Sequence, residues 1–163
     1  MARGEGLPAR AVRESLEWAK EHQRGIGRAW DETIGVLGSA DFEAISGKDT
    51  LRKLRRVVHR WHDITVEPLE RLGPLAERTG TVPAPEDSRA YLSRVIIGMD
   101  LAEYNKLCDD LHAELEAAEQ AQRPLARLDW RDRIVELMEL GVRSTAATLE
   151  WVKGKLHAAE VAS

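Results

Sequence analysis

The chain has a single cysteine, Cys108, one phenylalanine and two tyrosines. One thiol cannot build an intrachain disulfide framework and fits a reducing compartment. No apolar run approaches the roughly 18 residues that a bilayer span needs. The opening MARGEGLPAR has no apolar core of the kind a signal peptide carries. The cytoplasm is therefore the expected location, with no membrane partner. Strand-like alternation is missing throughout. The only G-x-G, at Gly25-Ile26-Gly27, falls inside a helical pattern with no strand before it, so it is not a phosphate-binding loop. No Ser-His-Asp set assembles from the spacing. The formal net charge of −4 weighs against a dedicated nucleic-acid binder, which carries a basic balance.

What the sequence does have is helical period. With 163 residues, 43% apolar and 32% charged, it reads as one domain, 1–163, long enough to bury a core. Residues 1–7 read as a frayed tail. From Pro8, which suits a first helical turn, Val12, Leu16, Ala19, Gln23, Ile26, Trp30, Thr33 and Leu37 alternate steps of four and three up to Gly38. Gly25 and Gly27 weaken this helix and suggest close approach of a neighbour. Residues 39–47 connect to a second helix, capped by Asp49 or Thr50, whose stripe is Leu51, Leu54, Val58, Trp61 and Thr65. Pro68 and Gly73-Pro74 predict a kink or break in it. Residues 79–86 form a turn. A third helix starts at Asp87 or Ser88 and runs through Ile97, Leu101, Tyr104, Cys108, Leu111 and Leu115; Pro124 interrupts. Asp129 opens a fourth, along Ile134, Met138, Gly141, Thr145, Leu149 and Val152. Matched lengths and short connections predict an all-α fold: an elongated up-down-up-down antiparallel four-helix bundle with a Pro-kinked second helix.

Charge is unevenly spread. Lys48, Arg52, Lys53, Arg55, Arg56 and Arg60 crowd the start of the second helix, and residues 109–119 carry five carboxylates without a base. A hairpin closed near residue 83 would set Arg52 beside Glu114, Arg56 beside Asp110 and Lys48 near Glu119. Such pairs contribute roughly 0–1 kcal/mol each but help reject slipped pairings. Should the basic side chains instead face outward, Arg52, Lys53, Arg55, Arg56 and Arg60 would make a nucleic-acid-binding face.

Five tryptophans stand out. Trp30 and Trp61 lie on their seams and read as core, and Trp130 caps one end. Trp18 and Trp151 each sit one position off the seam, within the echo Leu16-Glu17-Trp18-Ala19-Lys20 and Leu149-Glu150-Trp151-Val152-Lys153. Partly exposed indoles mark interfaces because they bury a large area at low entropic cost. In the predicted topology these two segments meet at one end of the bundle.

The histidines raise metal and nuclease readings. His59, Cys108 and His112 would come near one another in the hairpin register, a three-ligand set of zinc type. Cys108 lies on the apolar seam, however, where a thiol behaves as a small hydrophobe, and His62 and His112 fall about 12 Å apart. No metal site, cofactor or catalytic residue is therefore assigned. Arg56-x5-His62 and Arg52-x6-His59 resemble the R-x(4–6)-H motif of HEPN ribonucleases, an all-α family. That resemblance covers about a dozen residues, and it would imply RNA cleavage by this arginine and histidine. In the family the motif sits near the domain end with a polar residue after the arginine, whereas here Val57 or Lys53 follows.

The sequence thus favours a non-enzymatic cytoplasmic interaction or assembly module, most simply a homodimer. Trp18 and Trp151 are its contact residues, helped by a wide apolar face over residues 92–104. A nucleic-acid-binding subunit comes second, and a metal-dependent or HEPN-like ribonuclease third.

Overall fold

The computed structural model describes residues 9–80, 82, 83, 86–125 and 128–162. The expected starts at Pro8 and the frayed 1–7 lie outside them, as does the side chain of Asp129. Every element is helical: α1 (Ala9–Ser39), α2 (Lys48–Arg78), α3 (Ser88–Leu92), a π-helical turn (Ser93–Ile97), α4 (Leu101–Ala121) and α5 (Leu128–Ala162). No strand occurs among the described residues, and no described helix is long and apolar enough to cross a membrane.

The expected single third helix is two. Gly98 adopts a left-handed conformation (φ 87°) that a side chain would strain. Its N–H bonds back to the Ser93 carbonyl at 3.0 Å, closing the wide π turn. Ser93 Oγ donates across the break to the Met99 carbonyl at 2.8 Å. Leu92, Ile96 and Ile97 before the break, and Tyr104, Cys108 and Leu111 after it, are all buried. The apolar pattern therefore continues although the backbone does not. Asp87 does cap α3, with its carboxylate accepting from the Ala90 N–H at 2.8 Å.

The start of α2 differs from expectation. Gly47 is its N-cap, with no side-chain cap bond. Asp49 sits in the first turn, where a carboxylate suits the positive end of the helix dipole. There it meets Arg52 at 3.4 Å and Lys53 at 3.3 Å.

Helix α2 carries both prolines in its interior, unbroken as an element from Lys48 to Arg78. Pro68 has no N–H to offer the carbonyl four residues back. That carbonyl, on Ile64, is taken by His22 of α1 at 2.8 Å. A carbonyl only accepts, so the His22 ring donates through Nε2.

Helix pairing follows from named contacts. Between α1 and α2, His22 meets Ile64, Glu32 meets Arg60 at 2.5 Å, and Thr33 meets Trp61 at 2.8 Å. From His22–Ile64 to Glu32–Arg60 the contacts climb α1 and descend α2. Trp61–Tyr104 (3.3 Å) and His62–Asn105 (2.8 Å) join α2 to α4 within a residue of the expected hairpin register. Arg13–Glu160 (4.0 Å) and Phe42 against Trp130 (5.6 Å between rings) mark the two ends of the α1–α5 seam.

Trp61 is fully buried at the centre. Its Nε1 donates to Thr33 Oγ1, and that hydroxyl donates on to the Ala29 carbonyl at 2.7 Å, so each polar atom is satisfied. Trp30, expected in the core, is half-buried and meets Trp61 edge-on at 6.5 Å. Gly141 of α5 abuts the same indole: a Cβ there would stand 2.6 Å from Trp61 Cε3. Close approach thus belongs to Gly141. At Gly25 and Gly27, where the sequence suggested it, a Cβ would meet nothing within 4 Å.

Candidate functional site

Trp18 and Trp151 are each half-buried, as their off-seam positions predict. Trp18 stacks on His22, one turn ahead on α1, at 4.8 Å and 16°. The Arg71 guanidinium of α2 lies 5.5 Å from the Trp18 ring centre, within cation–π range. The histidine that satisfies the Pro68-freed carbonyl therefore also fixes the indole. Trp151 carries the Lys155 ammonium 5.1 Å from its ring centre. Partial burial holds the Lys155 ammonium below its ordinary pKa. The two indoles have different partners, and no ring contact joins them among the described residues.

The apolar face expected over 92–104 belongs largely to the core. Leu92, Ile96, Ile97 and Tyr104 are buried, which leaves Val95 as its large exposed hydrophobic, at 45%. The other exposed ones, Ile34, Ile45, Val142 and Val161, are scattered singly.

The basic side chains of α2 divide between two flanks. Arg55 turns toward α4 and pairs with Glu119. Arg52 stays with Asp49 in its own helix. Lys53, Arg56 and Arg60 face α1, where Arg60 takes Glu32. The expected registry of Arg52 with Glu114, Arg56 with Asp110 and Lys48 with Glu119 is not formed. Glu114 pairs instead with Arg133 of α5 at 2.6 Å, and Asp110 with Lys106 at 2.8 Å. Asp110 and Arg52 are taken by neighbours one turn away in their own helices, which need not span two helices, while Glu114 and Glu119 go to arginines of α5 and α2. A signal for the division was present. Residues 53, 56 and 60 are spaced three and four apart and share one side of a helix, whereas 55 points away from it.

Histidines cluster on the α2–α4 flank. His62 bonds Asn105 at 2.8 Å and stacks on Tyr104 at 5.8 Å, and exposed His59 meets Asp63 at 3.5 Å. Burial, then the nearness of His59, holds the His112 imidazole below its ordinary value; Arg55 and His62 add to this and Asp109 opposes it. Cys108 does not complete a ligand set here. It is buried, and burial pushes its thiol up to about 11, so it stays protonated near neutral pH. No group of three or more His, Cys, Asp or Glu among the described residues is arranged to hold a metal ion. Arg56 and His62, of the Arg-x5-His spacing, lie on different flanks, one toward α1 and the other on Asn105 of α4.

The depressed His112 value has a measurable consequence. In the unfolded chain this histidine takes up a proton near 6.5, and in the folded chain only at lower pH. Its contribution to stability is therefore intact above pH 6.5 and is lost as pH falls from there through the lower folded value. His112→Gln should lose less stability than the unmodified chain between about pH 7 and 5. Parallel melting-temperature profiles of the two proteins over that range would contradict the assignment.

No family model, curated protein or solved structure matches this chain.

Proposed function

We propose that the chain is a non-enzymatic helical interaction module of the cytoplasm that associates with itself as a homodimer. In this reading the long helices form an elongated up-down-up-down antiparallel bundle. Helices α3 and α4 act together as its interrupted third member, and α2 bends at its prolines. The opposed order of the α1–α2 contacts, of Arg55–Glu119 against His62–Asn105 between α2 and α4, and of the α1–α5 contacts supports that arrangement.

The observation that carries the functional reading is the state of the two indoles. Trp18 and Trp151 keep part of their surface outside while His22, Arg71 and Lys155 hold them in place. Association then buries aromatic area without first having to order the side chains that supply it. A twofold contact would use the same patch on both copies.

The test is oligomer mass in two variants, Trp18→Ala and Trp151→Ala, with helicity followed by circular dichroism. Each variant should shift mass toward the monomer while helicity is kept. Unchanged mass in both would overturn the reading.

A further inference from the structure

We infer that the groove between α1 and α2 binds a small phosphate ester with an apolar body. The groove is an open depression of about 360 Å³, a volume in the range of small-molecule sites. Gly35, Val36 and Val57 supply apolar lining, and Lys53, Arg56 and Arg60 line the α2 side. Glu32 is the one carboxylate among the lining residues. Glu32 and Asp49 offset two of these three cations, which leaves the Arg56 guanidinium, among the described residues, as the uncompensated positive charge, the complement of a phosphate. This local excess stands out in a chain whose formal net charge is −4.

The three cations are differently committed. Arg60 is paired with Glu32 at 2.5 Å and Lys53 with Asp49 at 3.3 Å. Arg56 forms no ion pair among the described residues, so its planar donors are open to a bidentate phosphate contact. An apolar body would lie against Val36 and Val57. Gly35 faces open space, where a Cβ would meet nothing within 4 Å, so a long side chain at this lining position would take up room that the body needs.

A polynucleotide fits this geometry less well than a small molecule. Lys53 to Arg60 covers about 10 Å of helix axis. The neighbouring Arg52 and Arg55 are paired with Asp49 and Glu119, which interrupts any longer basic track.

The experiment is a titration of the ¹⁵N-labelled full chain with phenyl phosphate, followed at the tryptophan indole N–H signals. Trp61 Nε1 donates to Thr33 Oγ1, and Thr33 lines the groove. The Trp61 signal should therefore shift saturably while those of Trp18 and Trp151 stay in place. Inorganic phosphate supplies the charge without the body and benzyl alcohol the body without the charge; each should bind more weakly than phenyl phosphate. Arg56→Gln should weaken binding about tenfold or more. Gly35→Leu should abolish it with the melting temperature unchanged or raised, which separates a filled groove from a failed fold. Arg143→Gln, on an exposed position of α5, should bind as the unmodified chain does. The inference is overturned if phenyl phosphate gives no saturable Trp61 shift, or if Gly35→Leu binds normally. It is also overturned if single-stranded oligonucleotides bind more tightly in proportion to their length.

Discussion

Trp61→Ala should lower unfolding free energy by about 3–5 kcal/mol, the range for truncating a buried aromatic. Three losses combine. A fully buried indole disappears from the place where Thr33 of α1 and Gly141 of α5 approach it, beside the Trp61 carbonyl that Tyr104 of α4 holds. Thr33 Oγ1 loses the N–H donor that it accepts. Gly141, which has no side chain to move inward, cannot fill the space that is left. In a domain of this length each kcal/mol shifts the melting temperature by about 2–4 °C, so the expected drop is roughly 6–20 °C. Total stability for such domains is about 5–15 kcal/mol, and the variant should still fold in the cold. Thermal melts followed by circular dichroism measure this directly. A drop of less than about 3 °C would mean that Trp61 does not hold the centre.

Gly141→Ala should destabilise the protein although alanine is the better helix former. The added Cβ would lie 2.6 and 2.7 Å from Trp61 Cε3 and Cζ3, closer than atoms can approach. The ring cannot easily move away, because its Nε1 is tied to Thr33 and it packs at right angles against Trp30. Overpacking of this kind costs about 1–3 kcal/mol, against about 1 kcal/mol gained in helix propensity. Gly35→Ala, with nothing within 4 Å of its Cβ, should show the gain alone. The two glycines thus make a matched pair with opposite expected signs. In a Trp61→Leu background, which removes both clashing ring atoms, Gly141→Ala should become neutral or stabilising. Simple additivity in that double-mutant cycle would refute the contact.

The class of fold was legible because helical period survives in nearly every segment. Leu51, Leu54, Val58, Trp61 and Thr65 are all buried, as their spacing predicts. The half-burial of Trp18 and Trp151 followed from a single step off the seam. Other features were hidden for identifiable reasons. An apolar pattern reports which side chains are buried but not how the backbone runs between them. The break at Gly98 therefore left no gap in the Leu92–Tyr104 pattern. The prolines of α2 signalled a break, yet the partner for the carbonyl freed by Pro68 lies 42 residues away on α1, beyond any local rule. Gly25 and Gly141 look alike in sequence, and only the neighbour across the interface decides which one is crowded. The charged residues were read as two opposed blocks. Short-range pairs such as Arg52–Asp49 and Lys106–Asp110, together with Arg133–Glu114 and Arg55–Glu119 between helices, replaced that registry, and Lys53, Arg56 and Arg60 face α1.

The two surfaces proposed for this chain are separate. The indole patch draws on α1, α2 and α5 around Trp18, Arg71 and Trp151, whereas the cationic groove uses the C-terminal part of α1 and the N-terminal part of α2. Variants in one should leave the other unaffected. Arg56→Gln should not change mass, and Trp151→Ala should not change phenyl phosphate binding.

Self-association is the central claim, and absolute mass of the unmodified chain by light scattering addresses it most directly. The measurement should cover a range of protein concentrations and two salt concentrations. The account predicts a species of about twice 18.3 kDa that persists at high salt, because the contact is aromatic rather than ionic. A mass of 18.3 kDa at every concentration and both salts would contradict it.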